Sequence, residues 1–145
     1  MFCEVYPIAE KSDCEQALKK FIADYGAPEI MVTDNAKEEI GKNTVFQAAL
    51  RKNNIRSLTT NIYSPRQNPA ETVIRELRKK WYRAIFRTNC PRGLWNYGLP
   101  HFAKLMQLTA SNAADLDGRT PLGALTGKTP DISQYLDFAW YDWVW

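Results

Sequence analysis

The segment from Asn68 to Thr88 constrains the fold of this chain more than any other. Asn68 is a favourable N-cap residue, and Pro69 suits the first helical position because its fixed φ is already helical and its missing N–H needs no partner there. Apolar side chains then recur at helical spacing, at Val73, Leu77, Trp81 and Ile85. The pattern predicts a long amphipathic helix that ends before Pro91.

Weaker signals on both sides of this helix predict strands that alternate with helices. Strands are expected at 2–8, 29–33 and 55–60, where β-branched and aromatic residues are bounded by turn residues. Helices are expected at 12–26, 43–54 and 95–114, with a loop at 60–69. Strands alternating with helices favour an α/β layered fold, and residues 115–145 are expected to form an extended tail.

Composition bounds the class of protein without deciding its function. The 145 residues are 45% apolar, enough for one core, and the net charge of +3 says little about partners. Charge is nevertheless uneven, because the segment 66–92 holds eight basic residues and two acidic ones. The basic residues are Arg66, Arg75, Arg78, Lys79, Lys80, Arg83, Arg87 and Arg92, and the acidic ones are Glu71 and Glu76.

Cysteine and histidine usage excludes one class of site. The three cysteines, Cys3, Cys14 and Cys90, are widely spaced, and His101 is the single histidine, so the sequence does not encode a Cys/His zinc module. An odd and sparse set of thiols suits a reducing compartment. No run of eighteen apolar residues and no secretory signal is visible, so we expect an intracellular protein that does not cross a membrane.

Two carboxylates lie at positions where catalytic and metal-binding residues are often found. Asp34 follows the predicted strand 29–33, and Glu71 lies in the first turn of the long helix. Magnesium prefers a few carboxylate oxygens and retains several waters, so two acids from different elements form a candidate Mg²⁺ or Mn²⁺ site. Each acid also has a plain structural interpretation, because a strand-end aspartate can cap a turn and a first-turn glutamate complements the helix dipole.

The neighbours of Glu71 favour the functional interpretation. At about 100° per residue, Glu71, Arg75, Arg78 and Tyr82 share one helix face, opposite the apolar stripe. Guanidinium groups bind phosphate oxygens bidentately, so this face suits a phosphate backbone beside a metal ion. The alternative is a solvated face with a Glu71–Arg75 ion pair.

Two strings of residues resemble the motifs of retroviral and retrotransposon integrases. Val32-Thr33-Asp34-Asn35-Ala36 resembles the motif that carries the second catalytic aspartate, and Ser64-Pro-Arg-Gln-Asn-Pro-Ala-Glu71 resembles the loop that leads into the catalytic glutamate. Thirty-six residues separate the two acids, a spacing similar to that of the family. The later Arg119-Thr-Pro121 and Thr129-Pro-Asp131 stretches resemble the copia-type branch.

The resemblance implies a fold, a reaction and a set of site residues. It implies a ribonuclease-H-like mixed sheet flanked by helices, with Asp34 and Glu71 as catalytic metal ligands. Asn35, Gln67, Arg75, Arg78 and Lys79 match positions that contact DNA. Family members use divalent ions to process DNA 3′ ends and join them to target DNA, and they act as oligomers in the nucleus.

The resemblance also implies that part of the catalytic core is missing. The first of the family's three catalytic aspartates has no match here, so we expect an N-terminally truncated core fragment at 1–114, lacking its first strands. Residues 115–145 would then be a tail leading toward a missing C-terminal domain. A catalytically dead nucleic-acid-binding remnant is the alternative function, and a weaker one is a protein-interaction role for the aromatic residues between Phe138 and Trp145.

Overall fold

The computed structural model describes residues 2–33, 44–59, 69–110 and 116–142. Helix α1 spans Cys14–Tyr25 and strand β1 spans Ile30–Thr33; helix α2 spans Val45–Lys52 and strand β2 spans Arg56–Thr59. Helix α3 spans Pro69–Thr88, α4 spans Trp95–Leu108 and α5 spans Pro121–Thr126. Short 3-10 helices cover Lys11–Asp13, Arg92–Leu94 and Ser133–Tyr135. The chain packs as two compact units, Tyr6–Pro69 and a unit made of Met1–Val5 with Ala70–Trp145.

The unit Tyr6–Pro69 is a small helix-and-strand layer. Strands β1 and β2 run parallel, with Ile30 opposite Arg56 and Thr33 opposite Thr59. Apolar side chains of α1 and α2 form the core against one face of this pair, where Leu18, Phe46, Ala49, Leu50 and Ile55 are buried. On the other face of the sheet, Val32 is 53% exposed and Leu58 is 47% exposed.

The predicted fold class is wrong. The described residues are mostly helical, and their two four-residue strands form a parallel pair, whereas a ribonuclease-H-like mixed sheet also needs antiparallel neighbours. The strand predicted at 2–8 is absent, and this segment makes side-chain hydrogen bonds to two helices. Gln107 Nε2 donates to the Cys3 carbonyl at 2.5 Å, and the Tyr6 hydroxyl donates to Asp24 at 2.9 Å.

The second unit is built on α3 and α4. Trp81, Ala84 and Cys90 are buried together, and Ile85, Leu94, Leu99, Phe102 and Trp140 pack against them. Gly98 of α4 lies directly under the Trp81 ring, so the small residue lets the two helices approach closely. Helix α4 continues through Pro100 and is not broken there.

The remaining sequence predictions are met in part. The long helix begins and ends where the sequence indicates, and Gly26, with φ of +90°, follows α1 as expected. The segment expected to be an extended tail instead contains α5, which is capped by the Thr120 hydroxyl. The domain boundary predicted after residue 114 stays a prediction, because 111–115 lie outside the described residues. Among the helices that the structure describes, none has the length and apolar character needed to cross a membrane.

Candidate nucleic-acid interface

Helix α3 carries the candidate site, and its own packing decides which side chains are available. Leu77, Trp81 and Ala84 are buried, so one side of the helix is fixed against the core. Glu71, in the first turn, lies on a different side and is exposed. The sequence therefore folds into a helix that buries its apolar stripe and leaves its charged residues accessible to a ligand.

The predicted face is present and accessible. Arg75 and Arg78 are exposed, Tyr82 is 61% exposed, and these residues line one open groove with Glu71, Ile74 and Lys79. No ion pair joins Glu71 to Arg75 in the described part of the chain, where the two recorded pairs are Lys19–Glu15 and Lys79–Glu76. The Glu71 carboxylate and both guanidinium groups are consequently not neutralised by one another.

Lys79 differs from the two arginines. Its Nζ lies 2.7 Å from Oε1 of Glu76, one turn earlier on the helix, and the pair is about half exposed. The hydrogen bond from Lys79 lowers the pKa of Glu76 below its ordinary value. Because an exposed pair of this kind is worth little, Lys79 can exchange Glu76 for a phosphate, but it is the least free cation of the groove.

Three predicted site residues cannot be placed. Asp34, Asn35 and Gln67 lie outside the described residues. Strand β1 ends at Thr33, which is buried, and its Oγ1 has no hydrogen-bond partner within the described ranges. The role of Asp34 as a metal ligand with Glu71 therefore stays a prediction. Within the described ranges no cluster of three or more His, Cys, Asp or Glu side chains could hold a metal ion.

The arrangement of α3 suits binding of a phosphodiester backbone. Arg75 and Arg78 are one turn apart and present planar donor groups on the same side of a fixed helix. Tyr82 adds an aromatic ring and a hydroxyl at the end of the same face. A helix held by its buried stripe positions these groups without a large ordering cost when a ligand binds.

Comparison with solved structures gives a fold relationship. The chain matches one chain of the cryo-EM structure of the simian T-cell lymphotropic virus intasome in complex with the PP2A regulatory subunit B56 gamma, with a TM-score of 0.61. The fold is similar to that of a chain in a retroviral intasome structure. The identity is 15%, so the likeness concerns the fold alone.

The match covers 92% of this chain and 47% of the other, so this chain spans about half the length of the chain it resembles. No protein-family profile matches the sequence, and comparison with curated proteins found no significant relative.

The sequence prediction missed a second basic face on the same helix. Lys80, Arg83 and Arg87 line a separate cleft with aromatic residues of α4 and of the segment 135–142. Their spacing of three and four residues is a helical-face signal that was visible in the sequence. The aromatic partners come from distant parts of the chain, and no local pattern indicated that they would meet.

Proposed function

We propose that this chain is the DNA-binding portion of a retroelement integrase that acts in metal-dependent DNA integration. The observation that carries the proposal is the exposed face of α3, where Glu71, Arg75 and Arg78 lie together without compensating one another. The fold likeness to an intasome chain supports the same function.

The roles of the groove residues follow from their chemistry. Arg75 and Arg78 would bind phosphate oxygens and fix the DNA along α3, and Lys79 would add a cation when it leaves Glu76. Asn35 and Gln67 are proposed as further contacts near the DNA end. In this proposal the complete protein processes DNA 3′ ends and transfers strands as a homo-oligomer in the nucleus.

We propose that Glu71 takes part in catalysis as well as in DNA binding. Its carboxylate is exposed and is a hard oxygen donor, the ligand type that Mg²⁺ and Mn²⁺ prefer, so it fits a divalent-ion site to which Asp34 would contribute. A bound divalent ion would polarise the phosphate and lower the pKa of an attacking water or hydroxyl. Glu71 would hold that ion beside the phosphate that Arg75 and Arg78 position.

The binding part of the proposal is tested by removing the two arginines. The double variant Arg75→Gln/Arg78→Gln should weaken binding to a duplex that mimics a DNA end and reduce the slope of log K against log salt by about 2, since each lost phosphate contact removes about one unit. The matched control is Arg92→Gln/Lys128→Gln, which removes the same charge from two exposed residues away from the groove. Equal slopes for the two double variants would show that the groove does not bind DNA.

A second measurement separates an integrase site from a catalytically dead nucleic-acid-binding remnant. If Glu71 holds a divalent ion, Mg²⁺ should strengthen binding of the DNA-end duplex to the unmodified chain and have no such effect on Glu71→Gln. A remnant that uses only its arginines would show the same response to Mg²⁺ in both proteins. Since two of the three family acids have a match here, strand transfer by this chain alone should be weak.

A further inference from the structure

A second cleft on the Ala70–Trp145 unit is separate from the Glu71 groove. It has a volume of about 650 Å³, within the range of ligand-binding pockets. Its walls are formed by the other basic face of α3, by α4 and by the segment 135–142. The residues that determine its chemistry are Lys80, Arg83, Arg87, His101, Tyr135 and Trp140.

The two faces of α3 are divided by helix geometry. At about 100° per residue, Arg83 and Arg87 lie on one flank of the buried stripe that contains Trp81, and Arg75 and Arg78 lie on the other. Arg75 and Arg78 line the Glu71 groove, and Arg83 and Arg87 line the cleft, so the two sites use different guanidinium groups.

The cleft is cationic. Lys80, Arg83 and Arg87 are exposed, and none of them forms an ion pair with a carboxylate of the described residues. The cleft lining includes one acid, Asp142, and its Oδ2 already accepts the Ala139 backbone N–H at 2.7 Å. Glu76, outside the lining, interacts electrostatically with Arg83 but is hydrogen-bonded to Lys79. The cations still outnumber the carboxylates around the cleft, which favours an anionic ligand.

The opposite wall is aromatic. The His101 ring lies 5.0 Å from Trp140 and 6.0 Å from Tyr135, measured between ring centroids. Burial lowers the pKa of His101, so at neutral pH this ring is uncharged and acts as an aromatic surface. Phe138, also in the lining, is 58% exposed and offers a free ring face.

One polar group in this wall lacks a partner. The indole Nε1 of Trp140 is buried and donates to no acceptor of the described residues. A buried donor without an acceptor is destabilising, so this part of the wall is not held by a hydrogen bond from the indole to the described residues. The wall thus offers ring faces for stacking.

From these features we infer that the cleft binds single-stranded nucleic acid. Arg83 and Arg87 would bind the phosphates, and the bases would stack on the side of the cleft formed by Phe138 and Trp140. Single strands are bound in this way elsewhere, by a cationic groove that follows the backbone and by aromatic rings on which unpaired bases stack. A duplex presents phosphates to the cations but keeps its bases stacked on one another, so it cannot use the aromatic wall. An acidic peptide would use the cations alone.

The test is a titration of a fluorescent oligodeoxythymidylate of about 12 nucleotides without divalent metal, compared with a duplex of equal length and with polyglutamate. Arg83→Gln/Arg87→Gln should reduce the single-strand salt slope by about 1.4, since each phosphate contact to a single strand contributes about 0.7. Phe138→Ala should weaken single-strand binding about fivefold or more and leave the slope unchanged. Arg92→Gln/Lys128→Gln is the charge-matched control.

The possible outcomes test the cleft and the Glu71 groove separately. Single-strand binding by Arg83→Gln/Arg87→Gln that equals the control overturns the inference, and so does polyglutamate that competes as well as the oligonucleotide. Phe138 is exposed, so its replacement should leave the fold intact, which circular dichroism verifies. If Arg75→Gln/Arg78→Gln weakens single-strand binding and Arg83→Gln/Arg87→Gln does not, the inference about the cleft fails. Failure of the proposed Glu71 groove would appear separately, as duplex binding by Arg75→Gln/Arg78→Gln that equals the control.

Discussion

Single residues at the α3–α4 contact decide how closely the two helices pack. Gly98 faces the Trp81 ring, whose centroid lies 6.3 Å from Phe102 and 5.9 Å from Trp140. The ring is thus enclosed on several sides. It fits against α4 because position 98 has no side chain. Protein interiors packed in this way tolerate little added volume.

We expect Gly98→Ala to be destabilising. A Cβ at this position would lie 2.6 Å from Cε3 and 2.7 Å from Cη2 of Trp81, so the ring or the helix must shift, at a cost of about 1–3 kcal/mol. Gly93→Ala is the matched control, because a Cβ there meets nothing within 4 Å. Urea unfolding followed by tryptophan fluorescence measures both, and equal midpoints for the two variants would contradict the expectation.

His101 gives the unit a dependence on pH. Burial lowers its pKa below the ordinary 6.5, so below that pH the unfolded chain binds a proton that the folded chain does not. The free energy of unfolding should therefore fall as the pH decreases from 6.5 toward the lower folded pKa. His101→Phe should lose this dependence while keeping an aromatic ring beside Trp140, and parallel pH profiles for the two proteins would exclude the effect.

At the scale of elements, α3 is a helix with three separate surfaces. One stripe is buried, one flank carries Glu71, Arg75 and Arg78, and the other carries Arg83 and Arg87. Because the buried stripe fixes the rotation of the helix, it also fixes where both basic flanks point. A substitution that rotated the stripe would disturb both candidate sites at once.

The start of α2 provides a test of local helix stabilisation in the other unit. The Thr44 hydroxyl accepts a hydrogen bond from the Gln47 backbone N–H at 3.2 Å, and α2 supplies the buried Phe46, Ala49 and Leu50. Thr44→Ala should cost about 1 kcal/mol, and Thr44→Ser should restore most of it because serine caps as well as threonine. Hydrogen exchange of the α2 amides would report the change, and an unchanged exchange rate in Thr44→Ala would refute it.

At the scale of the whole molecule, a contact between distant residues closes one unit. Gln107 is fully buried, and its Nε2 donates to the Cys3 carbonyl and, at 2.8 Å, to Oε2 of Glu4. Residues more than a hundred positions apart thus share one packing unit. Burial also raises the pKa of the Cys3 thiol, which keeps it protonated at neutral pH.

We expect Gln107→Leu to release the N-terminal segment. The substitution retains volume but leaves the Cys3 carbonyl without its donor, at a cost of about 1–3 kcal/mol. Amide exchange at residues 2–5 should accelerate, whereas Gln134→Leu, at an exposed position, should not affect it. Protection of 2–5 that survives in Gln107→Leu would mean that other contacts hold this segment.

The sequence by itself determined the local elements that depend on short-range patterns. The bounds of α3 followed from Pro69 and its apolar spacing, the end of α1 followed from Gly26, and the exposed face of Glu71, Arg75 and Arg78 followed from helical periodicity. Each of these is fixed by residues within a few turns of one another, so a local pattern is sufficient.

Only the tertiary structure decided what depends on contacts between distant segments. The sequence of residues 2–8 predicts a strand, yet the side chain of Gln107 holds the first part of this segment. The expected mixed sheet is a two-stranded parallel pair in the described residues. The cleft that joins Arg83 and Arg87 to Trp140 likewise depends on the packing of Gly98 against Trp81. Such contacts are chosen by shape and burial across the whole unit, which no window of sequence contains.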